Sequence, residues 1–369
     1  MKESEKMLYD GLKYCLLPLA AFSALSCSQT NPTAPNIIYV FPDQFRASAL
    51  AFWDEPEFSH YVRWKADPVR TPVLDAFASE SVVLSNAMSN CPLSSPYRGV
   101  FLTGMYPERS GIPLNCMAER PQSSLREDAV CISDVLKSKG YSCGYIGKLH
   151  ADFPTKNDPE NPGHYVSERR PEWDAYTPPE RRHGFDWWYS YGTFDVHKDP
   201  HYWDTDGVKH SPKEFSVKHE TDKAIEYLRN RNGERRADAP FFLVVGYNPP
   251  HSPYSGPEDC MAEDYEIYKD MSYKELYLRP NADTTLVKAP SARYYFANVT
   301  AVDREFGRIL NELKALGLDK NTIVVFTSDH GETMCSQGTL DPKNSIYTES
   351  FNVPMIIRYP GKIRPHVDT

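Results

Sequence analysis

The chain has 369 residues, 40% hydrophobic and 13% aromatic, enough apolar material to bury one large core or two modest ones and so to build a globular protein. Its formal net charge is -9, which argues against nucleic-acid binding, because a phosphate polymer is normally met by a basic face. Any attraction for an anion must therefore be built locally, from a metal ion and a few converging cations.

Residues 12–26 contain the run CLLPLAAFSALS, an apolar stretch too short to span a bilayer and preceded by lysines, which reads as a signal peptide over residues 1–27. Its end, Ala24-Leu25-Ser26-Cys27, resembles a bacterial lipobox. On that reading Cys27 carries a lipid anchor and the protein is an exported periplasmic or outer-membrane lipoprotein of a Gram-negative bacterium. The plainer reading is an ordinary cleaved signal with an incidental cysteine. Beyond the leader stand Cys91, Cys116, Cys131, Cys143, Cys260 and Cys335. Their spacings give no zinc motif, and in an oxidising compartment they leave disulfide pairing open.

After a polar linker over 28–35, residues 36–41 read as a strand that stops at Pro42, with Asp43 and Gln44 at its end. A helix over 72–81 and a strand over 82–87 follow. Then come a helix at 129–139, a strand at 141–147, a helix at 216–230 and a strand at 240–247. A long helix at 292–316 and strands at 322–327 and 353–358 complete the series. Alternating strands and helices predict an α/β fold with a mostly parallel central sheet covered by helices on both faces. In such folds ligands bind beyond the carboxyl ends of the strands. Two long segments, 152–213 and 252–288, interrupt the alternation and show neither period over most of their length. With 31 prolines and 24 tyrosines in the chain, they read as ordered, aromatic-rich loops that carry specificity.

The chemistry centres on Ser94-Ser95-Pro96-Tyr97-Arg98. Pro96 suits the first turn of a helix, which puts Ser94 at a helix N-terminus, where free N–H groups and the positive dipole end favour an anion. Alone, Ser94 reads equally well as a plain helix cap. Four further motifs follow in order: Gly147-Lys148-Leu149-His150, Asn248-Pro249-Pro250-His251-Ser252-Pro253, Ser328-Asp329-His330-Gly331-Glu332, and Lys343 ahead of Tyr347-Thr348-Glu349-Ser350. Together with the strand-end Asp43-Gln44 they resemble the type I sulfatases, of the alkaline-phosphatase-like superfamily, from residue 36 to residue 361. In that family the Cys or Ser of C/S-x-P-x-R is oxidised to formylglycine by a maturation enzyme. Ser94 matches that position, whereas Cys91 does not, being followed by Leu93 and Ser95.

The resemblance implies roles. Asp43, Gln44, Asp329 and His330 would hold the family's divalent ion, usually calcium; two carboxylates and an amide oxygen suit a hard cation, with histidine the less usual ligand. The formylglycine hydrate from Ser94 would attack sulfur and displace the alcohol. Arg98 and Lys148 would hold the sulfate charge, His251 and Lys343 would protonate the leaving oxygen, and His150 would take the proton that lets sulfate leave. No Ser-His-Asp pattern accompanies Ser94, so the unmodified serine should be inert. Arg182, His183, His197, His201 and Trp203 are candidates to meet a sugar, although the tryptophans of Phe185-Asp186-Trp187-Trp188-Tyr189 serve equally well as core. The expected substrate is a sulfated carbohydrate. A phosphodiesterase or phosphonate hydrolase of the same superfamily and an inactive glycan-binding relative remain as alternatives. The resemblance also leads us to expect a smaller C-terminal subdomain beyond the catalytic domain over 36–369.

Overall fold

A computed structural model describes residues 34–167 and 170–369; the expected leader, lipid anchor at Cys27 and linker up to residue 33 lie outside them. The strands are β1 Asn36–Val40, β2 Val82–Leu84, β3 Ser142–Lys148, β4 Trp187–Tyr191, β5 Tyr202–Asp204, β6 Lys209–His210, β7 Phe241–Gly246, β8 Thr322–Thr327, β9 Met355–Arg358 and β10 His366–Asp368. The helices are α1 Pro72–Ser79, α2 Ser94–Thr103, α3 Pro107–Ser110, α4 Ile132–Ser138, α5 Ser216–Arg229, α6 Ala262–Tyr268, α7 Tyr273–Leu276, α8 Ala292–Ala315 and α9 Thr348–Phe351.

One sheet takes all ten strands in the order β10-β2-β9-β8-β1-β7-β3-β4-β5-β6. Its centre, β8-β1-β7-β3-β4, is parallel throughout, as the alternation predicts, while β9, β5 and β6 pair antiparallel toward the margins. Period-two alternation sends the central side chains to two cores. Ile38, Val40, Leu243, Val245, Val324 and Phe326 pack under α1, α5 and α8. Phe41, Tyr145, Phe242 and Val244 pack on the other face with Tyr97 and Leu102 of α2 and Leu136 of α4. Each fully buried large apolar side chain contributes about 1.5–3 kcal/mol, so these two layers hold the sheet edge that carries the site. Asp303 of α8 adds a cross-helix cap, accepting from the backbone N–H groups of Val73 and Leu74 at 3.2 and 2.7 Å, which are among the unpaired donors of α1.

The long segments hold more regular structure than their sequence suggests. Residues 152–213 contain β4, β5 and β6, and residues 252–288 contain α6 and α7. In β4, WWYSY, four of the five residues are fully buried, so polar and apolar residues do not alternate and the period-two signal is absent. Strand β9 starts at Met355 rather than 353, because Pro354 has no N–H and its carbonyl is taken by Thr327 Oγ1 at 2.6 Å. The six described cysteines are free thiols.

Candidate active site

Five parallel strands deliver polar residues to one edge of the sheet. Asp43 and Gln44 follow β1, Lys148 ends β3 with His150 just beyond, Thr193 and Asp195 follow β4, Asn248 and His251 follow β7, and Asp329 and His330 follow β8. Helix α2 starts at the same edge. Ser94 is its first helical residue, with Leu93 as the cap, so the cap reading of Ser94 fails and its hydroxyl is spent elsewhere. Arg98 lies one turn on, on the same face.

The groups converge on Ser94, which is 1% exposed. Its Oγ lies 3.3 Å from Asp43 Oδ1, 3.1 Å from His330 Nε2 and 3.4 Å from Lys343 Nζ. Asp43 Oδ2 is paired with Lys148 Nζ at 2.8 Å and Arg98 Nη2 at 3.1 Å, and Arg98 reaches Asp329 Oδ2 at 3.3 Å. Burial alone would raise Asp43, but Lys148 and then His251 and His330 hold it well below the usual carboxylate range. Asp329 goes the other way, pushed up by burial and by the charge of Asp43.

Asp43, Asp329 and His330 each place a ligand atom within 4.8 Å of the others. His330 Nδ1–H donates to the Gly331 carbonyl at 3.0 Å, which turns the Nε2 lone pair toward Asp43 Oδ1 at 3.3 Å and Asp329 Oδ1 at 3.8 Å. A lone pair facing two carboxylates is repulsive unless a cation joins them, and metal-bound histidines generally anchor their other nitrogen in this way. Gln44 Oε1 is buried without a partner among the described residues, while its amide nitrogen is tied to Tyr254 and Glu332. These residues fit a divalent cation.

Around the cavity, His251 Nδ1–H donates to the Ser252 carbonyl at 2.8 Å, so Nε2 accepts from the Lys343 ammonium at 2.8 Å. Burial and the neighbouring Lys148 and Lys343 hold His251 well below its ordinary value, and burial lowers Lys343. His150 Nε2–H donates to the Cys116 carbonyl at 3.1 Å, which leaves Nδ1 buried with a free lone pair and no partner among the described residues. Burial, then Lys148 and Arg98, hold His150 down at about 3, so it is a neutral acceptor. All ten site residues expected from the sequence come together here.

The inferred sugar contacts do not all survive. Trp203 is 1% exposed and packs against Tyr176, Arg182 is buried against the carbonyls of Thr177 and Thr205, and His183 sits beside Asp134. His197 supports the site from behind, with its Nε2–H on the His251 carbonyl at 2.8 Å. His201 is paired with Asp174 at 2.7 Å on the wall of a separate cavity. A cavity of about 240 Å³ opens over Ser94, and its walls add Asn115, Arg170, Trp173, Thr193 and Asp195 to the expected set. Asp195, 3.4 Å from His251 Nδ1 and 3.6 Å from Lys148 Nζ, escapes sequence reasoning because β4 does; recognising that strand would have pointed to its carboxyl end.

Three site residues hold strained backbone, Gln44 at φ 66°, His150 at φ 45° and Asp195 at φ 50°, the left-handed region that non-glycine residues enter at a cost. Gly147 has φ +88°, and a Cβ there would stand 2.3 Å from the Gly246 carbonyl oxygen. Gly147→Ala should therefore destabilise the fold by at least about 2 kcal/mol. It should also cut turnover in the fraction that remains folded, because Lys148 and His150 ride on this turn. Denaturant unfolding beside activity per folded molecule checks both, and a wild-type midpoint would overturn the expectation.

A family model described as sulfatase matches residues 35–369. The chain is 60% identical over 355 residues to an endo-4-O-sulfatase of Bacteroides thetaiotaomicron, covering 95% of this chain and 70% of that one. It is 36% identical over 361 residues to an ulvan-active sulfatase of Formosa agariphila, covering 92% and 61%. A solved structure from the glycosaminoglycan metabolism of B. thetaiotaomicron superposes with a TM-score of 0.90 at 62% identity, over 91% of this chain and 69% of that one.

Proposed function

Since the chain belongs to the sulfatase family of sulfuric ester hydrolases, we propose that the cavity over Ser94 hydrolyses sulfate esters of a carbohydrate chain, with a 4-O-sulfated sugar as the preferred target. The observation that carries this reading is the convergence of Asp43, His330 and Lys343 on a buried serine hydroxyl at a helix start. The 60% identical endo-4-O-sulfatase supports the sugar and the position.

Sulfatases generally use formylglycine and a divalent metal. At position 94 formylglycine would supply a hydrated aldehyde, one hydroxyl for attack on sulfur and a second to expel sulfate. Asp43, Gln44, Asp329 and His330 would hold the cation, which we take to be calcium, and it would supply positive charge beside position 94. The remaining steps belong to the chain. Arg98 and Lys148 are buried, fixed cations that hold the sulfate charge without reorganising. Lys343, hydrogen-bonded to His251, presents one transferable proton to the leaving oxygen. His150 takes the proton that releases sulfate, using the free lone pair of Nδ1.

Protein carrying the aldehyde at position 94 should release inorganic sulfate from sulfated oligosaccharides and leave phosphodiesters intact. Cleavage of phosphodiesters alone would favour the phosphodiesterase reading. Binding of sulfated glycans with no cleavage would favour an inactive relative.

A further inference from the structure

Beside the catalytic cavity lies a second basin of about 560 Å³, within the range of small-ligand sites. Arg170, Asp195 and Ser252 line both spaces, so the two adjoin across this shared wall. The two spaces differ in charge. Lys148 and Lys343 line the first, which shares the Arg170 and Asp195 pair with the second. In the second, Arg170 and Asp195 neutralise each other at 2.5 Å, and His197 is held at about 4 by burial and adds no charge near neutral pH. What remains is Lys198 against Glu258 and Asp259. The Asp259 carboxylate accepts from the Ser255 and Gly256 N–H groups at 2.8 and 3.3 Å, which fixes it in place. Glu258 is exposed and forms no ion pair with another described residue.

We propose that this basin is the subsite for the sugar next to the one that loses sulfate, and that Glu258 and Asp259 make it select a neighbour without sulfate. The proposal rests on the sulfatase reading of the adjoining cavity. Its charge logic is like-charge exclusion: an anion is welcome over Ser94 and is repelled one sugar away. Both acids stand at a solvent-facing wall, so the effect is moderate and screened by salt.

The test uses trisaccharides with the target sulfate on the central sugar and a second sulfate on neither neighbour, on one, or on the other. At low ionic strength kcat/KM should fall roughly five- to tenfold when the second sulfate occupies one of the two neighbours. Glu258→Gln should shrink that ratio several-fold, and so should raised salt. Equal rates on all three substrates would overturn the proposal, as would a ratio that Glu258→Gln leaves unchanged. A chromogenic sulfated monosaccharide separates the two levels of the argument. Its hydrolysis beside a flat trisaccharide ratio removes the subsite and keeps the sulfatase, whereas no release from any substrate removes both.

Discussion

Ser94→Ala should yield folded protein whose sulfate release is lower by about five orders of magnitude or more, the usual scale for deleting a covalent nucleophile. The hydroxyl touches Asp43, His330 and Lys343, and losing its hydrogen bonds costs about 1–3 kcal/mol, well short of unfolding a domain of this size. Unmodified Ser94 should be nearly as inert. The structure does bring a base to it, His330 Nε2 at 3.1 Å. That imidazole is anchored on the Gly331 carbonyl rather than on an acid, and its lone pair is the one a cation would claim. Expression with a serine-competent maturation enzyme should give a peptide about 2 Da lighter at position 94, on simple hydrogen bookkeeping for an oxidised nucleophile precursor. Ser94→Cys should be rescued by a cysteine-specific system. Substantial sulfate release by protein whose serine is wholly unmodified, judged by intact mass, would sink the assignment.

Chelation should abolish turnover and lower the unfolding temperature, and calcium should restore both. Without a cation, Asp329 is forced up by burial and by Asp43, and the His330 lone pair faces both carboxylates. A cation relieves this repulsion only in the folded chain, so at a free concentration 100 times its Kd it adds about 2.7 kcal/mol. Asp329→Asn should erase most of the calcium-induced rise. Full turnover in chelator with an unchanged unfolding temperature would remove the metal site.

The parallel core was readable because its strands are apolar runs ended by Pro42, Gly246 or a polar cluster, and because helices such as α8 carry a full amphipathic period. The strand-end rule places Asp43, Lys148, His251 and Asp329 at one edge of the sheet, but their roles came from the family motifs. Lys343 differs in place: it sits in a loop after β8, where no strand end points to it. The segment 152–213 misled in both directions. Its aromatics satisfy one another, as Tyr189 stacks on Tyr202 at 4.8 Å and Trp203 meets His201 at 4.9 Å, so residues that looked available to a sugar are packed away. Trp173 and Arg170, which do line the catalytic cavity, carry no spacing signal, because a wall residue on an irregular loop is placed by tertiary packing alone.

If Ser94 is the aldehyde precursor proposed above, its near-complete burial sets an order of events in the life of the chain. With 1% of its surface exposed and α2 already wound around it, no second enzyme could seat the side chain in its own active site once the sheet has closed. On the proposed function, oxidation of Ser94 would have to come first, on an extended segment, while residues such as Arg98 and Pro96 are still accessible. A molecule that folded too early would stay the inert serine form, so the yield of working enzyme would be decided by a race between modification and folding.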